Sequence, residues 1–276
     1  MAEQMFRNMT ASESSPIAWE PFTPRGVAAF ARARLSRLLL VQFIVALLVT
    51  ISVDFFLDMG CFPTISAAIK QLPDKGEIRA SQLNWHGESP QLLAEGGFLA
   101  FDADLEHTGQ IHSPAQVQIE FGRESVRVFS LLGYREWNYP PGWIVAFNRT
   151  DLEPLWGAWK PDILAIATGA VIVGLMLSWA VLATVYFLPV WLICFFTNRD
   201  LNFRQSWRLA GAALMPGALL LTAAVVFYTM GVLDLIQMSF AFGAHFVLGW
   251  IYLFISPLFL PRVSLVEKRN PFAAKS

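Results

Sequence analysis

The sequence predicts an α-helical membrane protein: four transmembrane helices, with a small extracytoplasmic α+β domain inserted between helices 1 and 2. Three observations predict it. Apolar runs at 38–57, 163–196, 209–230 and 238–260 each reach the roughly 20 residues that cross a hydrocarbon core about 30 Å thick. A polar stretch between the first and second runs alternates apolar and polar residues in strand fashion. The composition, 55% hydrophobic with only 15% charged, departs from soluble domains in the same direction.

Orientation follows from the basic residues. Arg7, Arg25, Arg32, Arg34 and Arg37 precede the first run, Arg199, Arg204 and Arg208 separate the second and third, and Arg262, Lys268, Arg269 and Lys275 follow the fourth. The positive-inside rule places these three segments in the cytoplasm. The connection between runs three and four carries Asp234 and no Lys or Arg, and segment 58–162 holds more acids than bases. Both are expected outside, which gives a multi-pass protein with both termini cytoplasmic. A net charge of −1 leaves no basic excess for phosphate neutralisation, so nucleic acid is not an expected partner.

In chain order, residues 1–37 read as a basic cytoplasmic segment, with 25–37 able to lie on an anionic leaflet or, equally, serving only as the topology signal. Helix 1 covers 38–57; its apolar core exceeds that of a cleaved signal and reads as a signal anchor. The external domain spans 58–160. It opens with a short amphipathic helix carrying Ile65, Ile69 and Leu72, stopped by Pro73 and Gly76. Strands are expected near 78–85, at 98–105 and near 132–139, with a hairpin over 116–129 turning at Gly122-Arg123-Glu124. Together they would form a small sheet covered on one face by the helix. The second run is too long for one crossing, since a straight helix over all of it would reach about 50 Å. A crossing at about 163–188 followed by a kink at Pro189 is expected. Helices 3 and 4 cover about 209–230 and 238–260, bent by Pro216 and Pro257, within a three-helix region of 161–262. Residues 263–276 form a cytoplasmic tail.

Candidate functional residues fall into four groups. Asp54 and His245 are, tyrosines apart, the ionisable residues well inside apolar runs, and such groups mark pathways or proton sites by default. Their estimated depths differ by only about 5 Å, which permits a pair. The plainer reading has Asp54 reaching the headgroups and His245 bonded to a neighbouring helix. Trp143, Trp156 and Trp159 precede helix 2 as an interfacial belt, or alternatively as an external contact surface. Asp102, Asp104 and Glu106, with His107 and His112 nearby, are weak candidates for metal binding. The Gly and bidentate Glu of a calcium loop are missing, so a solvated strand face is the expected role. Arg204 and Arg208 stand in a short cytoplasmic loop suited to contacting a partner. Small residues four apart, at Ala170/Gly174, Ala213/Gly217 and Ser239/Gly243, suit close helix packing. Cys61 and Cys194 fall on opposite sides of the membrane, which excludes a disulfide between them. No HExxH, GxSxG, P-loop, CxxC or GxGxxG pattern occurs, and no cofactor or enzymatic activity is expected.

The segment from Ile69 to Pro73 with Gly76-Glu77-Ile78, the run Phe98-Leu99-Ala100-Phe101-Asp102, and above all Leu201-Asn202-Phe203-Arg204-Gln205-Ser206-Trp207-Arg208-Leu209-Ala210 before Pro216 carry a resemblance. The chain resembles a bacterial four-span membrane family built on a domain of unknown function, distantly similar to Yip-type proteins in its C-terminal spans. That resemblance covers most of residues 38–262. It implies the bacterial cytoplasmic membrane as residence and carries over no catalytic or binding residues. The expected function is a non-catalytic envelope sensor, binding or accessory subunit acting through the external domain. Its expected partners are the lipid bilayer and a membrane protein or a second copy of the chain. The alternative is an oligomeric transporter or channel subunit using Asp54 and His245.

Overall fold

Four long apolar helices with a β-rich soluble domain inserted between the first two make up the protein in the computed structural model, which describes residues 20–199 and 201–262. Arg7, Lys268, Arg269, Lys275 and the expected tail at 263–276 lie outside the described residues. Internal contacts divide the chain into Val53–Gly169 and the helical residues on either side of it.

In the helical unit, α1 (Pro24–Phe30) begins where Thr23 accepts a hydrogen bond from the Gly26 amide at 3.0 Å. Pro24 occupies the first turn, where a missing N–H costs nothing. Val27 and Phe30 are fully buried, while Arg25, Arg32 and Arg34 stay exposed. The apolar residues of this basic segment fold into the bundle core. Burying a Phe and a Val contributes about 1.5–3 kcal/mol each relative to exposure, and the arginines need only keep their heads outside.

The first span, α2 (Leu35–Phe56), continues through a π turn (Leu57–Cys61) into α3 (Phe62–Gln71). The amphipathic helix expected after span one is thus its direct extension, with Pro63 tolerated in the first turn of α3. Span two, α4 (Arg149–Phe196), runs 48 residues and passes through Pro189 without ending. In an apolar medium a freed carbonyl at one position costs less than abandoning the hydrogen bonds of the following two turns. Span three, expected to bend at Pro216, is interrupted at Leu214 into α5 (Phe203–Ala213) and α6 (Met215–Thr229). Span four, α7 (Leu235–Ile255), ends in a 3₁₀ turn, Ser256–Phe259, containing Pro257. Capping boxes at Asn202/Gln205 and Asp234/Gln237 start α5 and α7.

Two small residues set the helix spacing. A Cβ on Gly217 of α6 would collide with the His245 carbonyl of α7, so these backbones approach as the Ala213/Gly217 pair suggests. Gly211 of α5 leaves room for buried Gln42 of α2, whose amide donates to the Gly211 carbonyl at 3.2 Å. Added Cβ atoms on Gly174 and Gly243 meet no described neighbour within 4 Å.

The inserted unit holds two sheets rather than one. β1 (Gly76–Arg79) and β2 (Gln82–Trp85) form a hairpin whose turn residues, Ala80 and Ser81, have φ of 51° and 64°. Such positive φ at both turn positions matches strand twist. β8 (Ile144–Ala146) pairs on the other side of β1. The second sheet has the order β3-β4-β5-β6-β7, from β3 (Gln91–Glu95), β4 (Leu99–Ala103), β5 (Val117–Phe121), β6 (Ser125–Ser130) and β7 (Gly133–Asn138). The β5–β6 hairpin is the expected one. β4 and β5 pair in parallel, which no two-residue turn can achieve, so 104–116 forms a crossover. α3 covers the β3–β4 end of one face, packing Ala68 and Leu72 with Leu93 and Ala103.

Candidate functional site

The face opposite α3 carries a polar row across four strands. Register aligns Asp102 of β4 with Glu120 of β5, Glu120 with Arg127 of β6, and Arg127 with Glu136 of β7. The expected alternation of Asp102 and Asp104 against Phe101 and Ala103 is present, but the face is not solvated. Asp102 and Asp104 are 0% and 1% exposed, because the parallel crossover folds back over them.

Residues of that crossover engage the acids. Thr108 Oγ1 and the Gly109 amide donate to Asp104 Oδ2 at 2.8 and 3.0 Å. Gln118 Nε2 donates to Asp102 Oδ1 at 2.8 Å and to the Ile111 carbonyl at 3.1 Å. His107 Nδ1 pairs with Glu120, and its Nε2 lies 3.0 Å from Ser125 Oγ. Ser125 in turn donates to Glu136 at 2.6 Å, which Arg127 also meets at 3.2 Å. Asp102 Oδ2 and Asp104 Oδ1 remain buried without a partner among the described residues. Burial, with Glu120 and Asp104 adding repulsion, pushes Asp102 up to about 6 despite the Gln118 hydrogen bond. Hydrogen bonds from Ser125 and then Arg127 hold Glu136 below the ordinary range.

Glu106 does not join this cluster: it is exposed and pairs with Arg123 at 2.6 Å. The three metal candidates are therefore not brought together, and no group of three metal-ligating side chains occurs among the described residues. The sequence alternation identified the acid face. Its burial was missed, although the length of 104–116, long enough for a crossover and too long for a hairpin, was a visible signal.

A second feature is the free edge of the same sheet. All six residues of β7 are exposed, and the turn before it presents Leu131 and Leu132, the latter 100% exposed. Trp137, half-exposed, continues the apolar row Ala103–Phe121–Val126 beyond the end that α3 covers. Tyr134 packs on Phe129 with ring centroids 5.7 Å apart, leaving its outer face free.

The remaining candidates fall in both units. Asp54 belongs to the inserted unit, where Thr168 donates to it at 2.7 Å. His245 belongs to the helical unit, contacts the carbonyl of Phe242 one turn earlier in its own helix, and packs against Phe242 and Phe246. Trp156 is engaged, donating to Ser66 at 2.9 Å and packing edge-on to Phe62, whereas Trp143 and Trp159 are exposed. Arg208 donates to the Ala33 carbonyl at 2.6 Å, and Arg204 is exposed. Asn148, in the sequence Asn-Arg-Thr, caps α4 by accepting from the Asp151 amide at 2.9 Å and is buried. Cys61 and Cys194 are free.

Fold and surface together define a multi-pass membrane protein with a soluble inserted domain capable of interactions. Comparison with protein-family models, curated proteins and solved structures found no match.

Proposed function

We propose that this protein is a non-catalytic accessory or binding subunit of the cell envelope, whose inserted domain is extracytoplasmic and docks another protein along β7. The single observation that carries this reading is the unpaired edge strand. An edge of six exposed residues offers backbone donors and acceptors to an added strand, and native folds ordinarily blunt such edges. Here Leu132, Tyr134 and Trp137 stand exposed along it beside the charged Arg135 and Glu136, and Tyr and Trp dominate binding energy at protein interfaces. The basic segments Arg199–Arg208 and Arg25–Arg37 support the placement of the domain outside.

The test is site-specific photocrosslinking in native membranes at positions 132, 134 and 137, with identification of the adduct. One protein captured from all three positions, and lost with the double variant Leu132→Asp/Trp137→Glu at unchanged melting temperature, is the expected result. Adducts confined to lipid, or capture that the double variant leaves intact, would overturn the reading.

A further inference from the structure

At the end of the bundle where α2 begins, α4 ends and α5 starts, a groove of about 440 Å³ opens between the three helices. Its walls are apolar: Leu35 from α2, Phe187 from α4, and Phe203 and Trp207 from α5. Phe187 meets Phe203 edge-on with centroids 5.8 Å apart, and Trp191 stacks on the same Phe203 at 5.7 Å. Trp207 is fixed by donating to Thr184 at 3.1 Å. The walls are therefore held by their own contacts rather than by an occupant.

Two guanidinium groups, Arg204 and Arg208, also line this groove. Arg208 uses one donor on the Ala33 carbonyl, leaving most of its five N–H groups free. Arg204 has no hydrogen bond or ion pair among the described residues. Among the described residues of the helical unit, eight arginines stand against the two acids Glu20 and Asp234, and the Asp234 carboxylate caps α7 at 2.7 Å from the Gln237 amide. A paired positive charge beside an aromatic trough on a membrane-spanning bundle matches one ligand chemistry, a phosphate monoanion joined to an acyl chain. Arginine forks bind phosphate oxygens bidentately, and basic pockets between spans hold anionic headgroups.

We infer that the groove bounded by Leu35, Phe187, Phe203 and Trp207 is a site for an anionic phospholipid, with Arg204 and Arg208 on its phosphate and the aromatic wall against its first acyl chain. This site is independent of β7.

The full-length protein in mixed phosphatidylcholine–phosphatidylglycerol nanodiscs is labelled with a photoactivatable phosphatidylglycerol, and the labelled peptides are mapped. Label is expected on residues 203–208 and 184–187, displaced by unlabelled phosphatidylglycerol but not by phosphatidylcholine or by sn-glycerol 3-phosphate. Arg204→Gln, at an exposed position that leaves the fold unloaded, is expected to lower this label about fivefold, as is typical of one arginine at an anionic surface. Arg204→Lys is expected to retain most of it. Equal labelling by a phosphatidylcholine probe, or label unchanged by Arg204→Gln, would overturn the assignment. Displacement by glycerol phosphate as effective as by the lipid would mark a soluble phosphate site and overturn it equally, and so would a protein adduct in place of the lipid.

Discussion

Asp102 binds its proton more tightly in the folded domain than in the unfolded chain, because the charged form is buried beside Asp104 and Glu120 with one oxygen unpartnered; Gln118 and His107 oppose the shift without cancelling it. The sign follows from linkage. The stabilisation from holding the proton is complete below the unfolded carboxylate value and is lost as pH rises through about 6. The melting temperature of the full-length protein in detergent, read by fluorescence of the inserted domain, is expected to fall as pH rises from about 5 to 7 through this contribution. Asp102→Asn keeps an acceptor for Gln118, removes the buried charge, and is expected to flatten that slope and raise the melting temperature by a few degrees above pH 7. An identical slope in wild type and variant would refute the assignment to Asp102. Gln42 makes the corresponding case within the bundle. Gln42→Leu removes the donor to the Gly211 carbonyl and is expected to cost about 1 kcal/mol, measured as a lowered unfolding midpoint.

Among elements, α6 and α7 leave no tolerance for added volume. Gly217→Leu would drive a side chain into the His245 backbone and is expected to cost at least about 1–3 kcal/mol, visible as aggregation or a lowered melting temperature. Gly174→Leu and Gly243→Leu face open space in the single chain and are expected to leave its stability unchanged; a shift from oligomer to monomer on native electrophoresis would show that a second copy covers them. This contrast marks where the sequence was legible. Small residues four apart identify surfaces that permit close approach, but only the fold decides which of three such surfaces is used. The spans themselves were readable, because their length and apolarity are local properties. So were the β5–β6 hairpin and the alternation at Asp102 and Asp104. Parallel pairing of β4 with β5 is a nonlocal choice, and with it came the burial of the acids and the recruitment of His107 and Gln118. Likewise the exposure of β7 depends on how far α3 reaches across the sheet, which no local pattern encodes.

For the whole molecule, span two is little enclosed: Val173, Leu177, Val181 and Val185 stay more than half exposed along one side. That stripe belongs in lipid or against another span. Crosslinking through cysteines placed at 177 and 181 is expected to yield a homodimer if copies meet there, and no dimer if lipid covers the stripe. The inserted domain begins and ends at a single place. Gly76 accepts from the Phe147 amide at 2.9 Å, Pro73 from the Arg149 amide at 3.1 Å, and β1 pairs antiparallel with β8 directly inward of them. Tension that draws residues 73 and 149 apart would load these bonds in series from the outer pair inward, so the clasp unzips under low force. The five-stranded sheet, with β7 and the acid row, lies beyond that clasp and would be spared the first rupture.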